Sequence, residues 1–173
     1  HYVDLHPPFS REAPTYFQKN GKHYLFTSGT TGYYPNPSLV CAFSDWHRDY
    51  EDLGDPCVDD VDGTSFYGQF TCVLQVPGTT LFIAMADRWK PTAFGKWFAK
   101  KYYQLVKNAM SSGRHENITK PDRNPKSTGD LPRKLLTHIE HTRIARYVWL
   151  PIEWDGEKPM IRWHPDWRLE DFH

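Results

Sequence analysis

The sequence has no long apolar run, and this absence excludes an integral membrane class built from helices. No stretch approaches the roughly 18 consecutive apolar residues that a transmembrane helix needs, so we expect no membrane span. The chain also starts at His1 without an initiator Met or a signal peptide, and we expect it to be a piece of a larger domain.

Cysteine is scarce, and histidine lacks metal-binding spacing. Cys41, Cys57 and Cys72 contain no CxxC pair and are too few for a disulfide framework. The sequence leaves two states of the cysteines open: one disulfide bridge with one free thiol, or three buried thiols. The histidines form no HExxH pattern, so we expect neither a metal site nor a cofactor.

Aromatic residues, by contrast, are abundant at 16% of the chain, with seven Trp and ten Tyr. Flat rings of this kind stack on sugar faces, and they are also favoured in the cores of β-sheets. Composition therefore leaves a carbohydrate-binding role and a purely structural role open.

A strand pattern occurs twice along the chain. Asn20-Gly21 predicts a tight hairpin, because a type I′ turn needs positive φ at both central positions. A similar unit around Pro77-Gly78 follows 57 residues after the first. Repeated units of four short antiparallel strands are typical of propeller blades, so we predict an all-β fold with blades at 12–56 and 69–167. The predicted strands are 15–18, 22–27, 39–43, 50–53, 69–76, 81–87, 147–154 and 159–163.

The second blade contains an insertion at 90–145. Its first part, 94–110, has apolar residues at helical spacing and predicts an amphipathic helix. Residues 90–146 carry thirteen Lys and Arg against four Asp and Glu, whereas the whole chain has no net charge. A basic segment can bind nucleic acid or anionic glycans. Without a nucleic-acid motif we interpret it as a solvated face whose helix packs on a sheet or on another segment.

Five ordered motifs stand out along the chain: Glu12-Ala13-Pro14, Thr27–Asn36, Ser65–Thr71, Asp87-Arg88-Trp89 and Tyr147–Pro151. Together they resemble glycoside hydrolase family 43, in its exo-β-1,3-galactanase-like branch. The resemblance covers nearly all of the chain outside the insertion, and it implies the C-terminal part of a five-bladed β-propeller.

The resemblance implies roles for two residues. Glu12 matches the general acid, and Gln69 matches the position where this branch has Gln instead of an aspartate base. An inverting glycosidase needs one protonated carboxyl group and a second group that orients water. Because an amide is a weak base, Gln69 acts through an unusual tautomer or mainly positions the water. The family's third carboxylate would lie before Glu12, outside this chain.

Other residues are predicted to contact the sugar or to pack. Five residues are candidates for substrate binding, because their polar groups can form hydrogen bonds with a sugar or their rings can stack on it. Four tryptophans are predicted to pack in the core or between blades. The substrate-binding candidates are Thr31, Tyr33, Asn36, Tyr67 and Trp89. The packing tryptophans are Trp149, Trp154, Trp163 and Trp167.

The resemblance implies an exo-acting, inverting glycosidase that hydrolyses β-1,3-linked galactan or arabinogalactan and is secreted, periplasmic or on the cell surface. The alternatives are a non-catalytic carbohydrate-binding propeller and a structural fragment. Two blades cannot close a ring, so we also expect a second polypeptide segment to complete the propeller and to be needed for activity.

Overall fold

The computed structural model describes residues 11–29, 35–47, 50–89, 97 and 145–172. All eight predicted strands are present, with ends that differ from the prediction by a few residues. They are β1 (Arg11–Lys19), β2 (Lys22–Gly29), β3 (Leu39–Phe43), β4 (Glu51–Gly54), β5 (Gly68–Gln75), β6 (Phe82–Arg88), β7 (Arg146–Asp155) and β8 (Lys158–Ile161), followed by a short 3-10 helix at Leu169–Phe172.

The strands form two four-stranded antiparallel sheets, in the orders β1-β2-β3-β4 and β5-β6-β7-β8. Sequential order within each sheet is the arrangement found in propeller blades. The prediction of an all-β chain with two units of four antiparallel strands is confirmed. Within the described part of the chain the two sheets do not close into a ring. Most of the predicted helix at 94–110 lies outside the described residues; Trp97 is helical, and its side chain is 54% exposed.

Local turn chemistry explains the hairpins. Asn20 and Gly21 have φ angles of 51° and 80°, so the β1–β2 turn has the two positive values that its sequence predicts. The β7–β8 turn starts at Gly156, with a φ of 59°, and Gly at the first central position is typical of a type II′ turn.

The hydrophobic core lies between the two sheets. Phe17 of β1 stacks on Tyr24 with ring centroids 5.1 Å apart, and it also contacts Phe82 of the second sheet at 5.6 Å. The buried Thr15 hydroxyl donates a hydrogen bond of 3.1 Å to the carbonyl of Phe70, which joins β1 to β5 directly. The two sheets are therefore held together by packing between β1 and β6 and by a buried hydrogen bond between β1 and β5.

The connection after β4 crosses to the second sheet and ties the blades a second time. Cys57 forms a parallel bridge with Ile161 of β8. Val58 N donates to Ile161 O at 3.1 Å, and Ile161 N donates to Pro56 O at 2.7 Å. These bonds fix the segment that leads from the first blade into the loop before β5.

The four tryptophans that were predicted to pack differ in their surroundings. Trp154 and Trp163 pack against the core as expected, but Trp149 is 55% exposed. Its position on β7 directs the side chain away from the buried face that Leu150 occupies, because successive residues of a strand face opposite sides. Trp167 Nε1 donates to the Trp149 carbonyl at 2.9 Å.

All three cysteines are free thiols. Cys41 and Cys57 are buried, and burial raises the pKa of the Cys41 thiol to about 11. Cys72 is exposed, so the alternative with three buried thiols is wrong for this residue. Separately, none of the helical residues that the structure describes forms a segment long and apolar enough to cross a membrane.

Candidate active site

Glu12 lies at an irregular beginning of β1. It pairs with Ser28 of β2, but the register shifts between Glu12 and Thr15, and Ala13 takes a φ of 49°. Pro14 has no N–H to donate, so a bulge at this place loses little sheet bonding. Bulges re-aim side chains next to functional sites, and this one sets the direction of Glu12 relative to the rest of the strand.

Gln69 lies at the start of β5, opposite Asp87 of β6. Its Nε2 donates a hydrogen bond of 3.3 Å to Glu12 Oε1, across the junction between the two sheets. The structure therefore brings together the two residues that the motifs single out, although 57 positions separate them. Their catalytic roles stay predictions.

A left-handed turn precedes Gln69. Ser65, Phe66 and Tyr67 have φ angles of 53°, 57° and 63°, although none of them is glycine, asparagine or aspartate. This conformation costs about 1–2 kcal/mol per residue for L-amino acids, so it persists only where the surroundings impose it. Sequence reasoning missed the turn because no residue in it favours positive φ.

The carbonyl groups of this turn all have partners. Gly68 N donates to Ser65 O at 3.0 Å, Arg88 Nε donates to Phe66 O at 3.0 Å, and Trp89 N donates to Tyr67 O at 2.9 Å. Two of these donors come from the end of β6 and the residue after it. The turn is consequently attached to the neighbouring strand before β5 begins.

The Ser65 side chain ties the same turn to the first blade. Its buried hydroxyl donates to Asn36 O at 2.9 Å and accepts a hydrogen bond of 2.7 Å from Ser38 N. Asn36 in turn pairs with β2, since its Oδ1 accepts from Gly29 N at 2.7 Å and its Nδ2 donates to Gly29 O at 3.1 Å. A chain of hydrogen bonds thus runs from the end of β2, beside Glu12, to the turn before Gln69.

The predicted sugar contacts fall into three groups. Asn36 is buried, and its amide makes the bonds to Gly29 described above. Tyr67 and Trp89 are joined by the backbone hydrogen bond from Trp89 N to Tyr67 O, and both residues are partly exposed. Thr31 and Tyr33 lie outside the described residues.

Tyr67 has a polarised hydroxyl group. Its hydroxyl donates to Asp62 Oδ2 at 2.5 Å, and burial together with this carboxylate raises the pKa of Tyr67. The phenol therefore stays neutral, and its oxygen keeps lone pairs that can accept a hydrogen bond from a sugar hydroxyl.

The acidic stretch 59–63 is occupied by protein hydrogen bonds. Asp59 accepts from Trp163 N at 3.1 Å, Asp60 accepts from Thr64 N at 2.6 Å, and Asp62 accepts from Tyr67. In the part of the chain that the structure describes, no group of three or more metal-ligating side chains is found.

The two sheets and their junction are similar to a part of several solved glycoside hydrolases. The chain superposes on a GH43 β-1,3-galactosidase solved with galactodeoxynojirimycin over 92% of its length, with a TM-score of 0.57 and 24% identity. A second GH43 β-1,3-galactosidase matches 94% of the chain, with a TM-score of 0.59 and 21% identity. An exo-β-1,3-galactanase from Phanerochaete chrysosporium with β-1,3-galactotriose matches 87%, with a TM-score of 0.50 and 18% identity.

These matches confirm, at the level of the fold, the resemblance that the sequence motifs indicate. The chain spans 32%, 24% and 23% of the three structures, so it corresponds to a minor part of each. No family model and no curated protein matches the sequence.

Proposed function

We propose that this chain is the C-terminal part of a five-bladed propeller that hydrolyses β-1,3-linked galactan, with Glu12 as general acid. The main observation that supports this proposal is the hydrogen bond of 3.3 Å from Gln69 Nε2 to Glu12 Oε1, which joins the two motif residues where the sheets meet. The fold shared with β-1,3-galactosidases and an exo-β-1,3-galactanase supports the substrate class.

In the proposed reaction Glu12 protonates the departing glycosidic oxygen, while Gln69 holds the attacking water on the opposite face of the sugar. Inverting enzymes place their two groups about 6.5–9.5 Å apart to leave room for sugar and water. The direct contact between Glu12 and Gln69 is much shorter, so the two side chains have to separate when a galactoside enters. Both are long enough to do so by rotation about their own side-chain bonds.

The proposed action is exo and inverting, on galactan or side-chain-bearing arabinogalactan. Tyr67, Trp89 and Asn36, with Thr31 and Tyr33, are the proposed sugar contacts. A polymeric substrate does not cross a membrane unaided, so we place the enzyme outside the cytoplasm, as a secreted, periplasmic or cell-surface protein. The proposal needs no metal or cofactor, because proton transfer and water suffice for the chemistry.

Glu12→Gln in the whole protein tests the acid role. Hydrolysis of β-1,3-galactobiose should fall about 10²–10⁴-fold, the usual contribution of a positioned proton donor. A dinitrophenyl β-galactoside should lose far less, because its leaving group departs without protonation. Glu51→Gln, which changes an exposed Glu of the same blade, is the matched control and should hydrolyse both substrates at the wild-type rate.

The same experiment has clear contrary results. Wild-type hydrolysis of galactobiose by the Glu12→Gln variant would refute the acid role. NMR of the first product should show the inverted anomer, and a retained anomer would refute the water-positioning role of Gln69. Release of galactose one unit at a time from longer galactans would support exo action, whereas internal cleavage would contradict it.

A non-catalytic sugar-binding role is the second candidate, because at 3.3 Å Gln69 and Glu12 cannot hold a sugar and a water between them unless the side chains separate. Calorimetry with galactotriose distinguishes the two roles. Binding without hydrolysis in the wild-type protein would select the binding role.

A further inference from the structure

The left-handed turn at 65–67 directly precedes β5. Only Gly68 separates Tyr67 from Gln69, and Gly68 already belongs to the strand. A Cβ added to Gly68 would lie 2.8 Å from Asp87 O, so the backbone at Gly68 lies very close to β6. A change in the turn is therefore passed to Gln69 without a flexible linker to absorb it.

One carboxylate restrains the N–H groups of this turn. Asp60 Oδ2 accepts from Phe66 N at 3.0 Å and from Thr64 N at 2.6 Å. It also accepts from the Thr64 hydroxyl at 3.1 Å, and that hydroxyl oxygen accepts in turn from Tyr67 N at 3.2 Å. Three amides of the segment thus depend on Asp60, directly or through one hydroxyl group.

The partners of Asp60 differ from those of the acidic residues beside it. Asp59 bonds to the backbone of Trp163, after β8, and Asp62 bonds to the hydroxyl of Tyr67. Neither of these contacts restrains the backbone of the turn. Asp60 is the member of the acidic stretch whose side chain does so.

We propose that Asp60 is a positioning residue for the hydrolytic reaction: it holds the left-handed turn, and the turn sets the place of Gln69 beside Glu12. This inference rests on the proposed function, in which Gln69 orders the attacking water. Asp60 does not touch the reacting atoms, and it acts through Gln69.

Asp60→Ala in the whole protein should lower kcat on β-1,3-galactobiose by about 10-fold or more, because orientation of the water is lost. KM should rise as well, since Tyr67, a proposed sugar contact, belongs to the same turn, so kcat is the quantity that tests the link to Gln69. Asp60→Asn should restore kcat to within about 3-fold, since one amide oxygen can accept both backbone bonds. Asp59→Ala is the matched control from the same loop and should leave kcat unchanged.

Thr64→Val keeps the shape of a buried side chain and removes the hydroxyl that links Tyr67 N to Asp60. This variant should also lower kcat, and it tests the same link if Asp60→Ala fails to fold. The double variant with Gln69→Ala is decisive. If Asp60 acts through Gln69, Asp60→Ala should reduce kcat by less than about 2-fold in that background.

Hydrogen exchange provides a readout besides activity. The amides of Phe66 and Gly68 should exchange faster in Asp60→Ala than in wild type, and at wild-type rates in Asp59→Ala. Unchanged kcat in Asp60→Ala, or an equal loss with and without Gln69, would overturn the inference and leave the proposed function standing. If wild type hydrolyses no β-1,3-galactoside, the proposed function fails, and the exchange rates decide whether Asp60 holds the turn.

Discussion

Asn36 takes the place of a neighbouring strand at the end of β2. Its amide offers one acceptor and one donor to the backbone of Gly29, at 2.7 and 3.1 Å, as a paired strand would. The sequence predicts Asn36 as a sugar contact, and that remains a proposal. The observed bonds indicate that this residue also fixes the end of the strand from which the 30–34 segment departs.

Asp55 makes stability depend on pH. Burial, the largest effect, raises the pKa of its carboxyl from 3.8 to about 6, even though Oδ1 accepts a hydrogen bond of 2.9 Å from Cys57 N. Because the folded pKa lies above the unfolded one, the stabilisation is complete below about pH 4 and is lost as pH rises through 6. The shift corresponds to roughly 3 kcal/mol.

We therefore expect Asp55→Asn in the whole protein to be more stable than wild type at pH 7 and about equally stable near pH 4. The amide keeps an acceptor for Cys57 N and carries no charge. Urea unfolding at several pH values measures the difference, with Asp155→Asn at an exposed position as control. A constant difference between wild type and Asp55→Asn across this range would contradict the prediction.

At the scale of elements, β1 and β5, the first strands of the two sheets, share an irregularity. The register shifts between Glu12 and Thr15 in β1 and between Phe70 and Cys72 in β5. In each strand the motif residue, Glu12 or Gln69, lies on the N-terminal side of the shift. A bulge bends the strand, so the residues before it need not follow the in-and-out alternation of the residues after it. Each strand can therefore fill the core and still present a polar side chain at the junction.

Gly68→Ala should disturb the beginning of β5. The added Cβ would lie 2.8 Å from Asp87 O and 3.2 Å from Ser65 O, and backbone atoms cannot move aside cheaply. We expect a loss of about 1–3 kcal/mol in unfolding free energy and reduced hydrolysis.

Gly78→Ala, in the hairpin of the same sheet, is the control for Gly68→Ala. A Cβ there meets nothing within 4 Å, but its φ of 77° should cost about 1 kcal/mol. Hydrolysis should be unchanged in this variant. Equal activity losses in the two glycine variants would contradict a special role for the start of β5.

At the scale of the whole molecule, the first sheet carries an aromatic cluster on the face opposite the core. Tyr16 and Trp46 are 45% and 52% exposed, and their rings lie 5.4 Å apart. Trp46 also packs edge-on against Phe43 at 4.7 Å. A propeller blade packs both faces on neighbours, so this cluster is where we expect the preceding blade to dock.

Residues 1–173 expressed alone should therefore self-associate or unfold without cooperativity, because the aromatic face and the strand edges lack their partner segment. Sedimentation and thermal unfolding measure this, and Trp46→Glu should reduce association. Val61→Glu, at an isolated apolar side chain that is 93% exposed, should not. A soluble, cooperatively melting monomer with galactosidase activity would overturn the need for further blades.

The sequence by itself determined the strands, the two-blade repeat and the pair Glu12 and Gln69. Alternating apolar residues and the Asn20-Gly21 turn act over a few neighbours, so short stretches predict them. The resemblance of the motifs to a known family singled out the pair, and the structure places the two side chains within a hydrogen bond of each other. Their catalytic roles remain a proposal.

Only the tertiary structure decided the left-handed turn at 65–67 and the exposure of Trp149. Ser65, Phe66 and Tyr67 carry no local preference for positive φ, and their conformation depends on Asp60, Ser38 and Arg88, which other parts of the fold bring near. Which face of β7 becomes buried likewise depends on what packs against the face of its sheet. Such properties arise from contacts between distant residues, and no short stretch of sequence contains both partners.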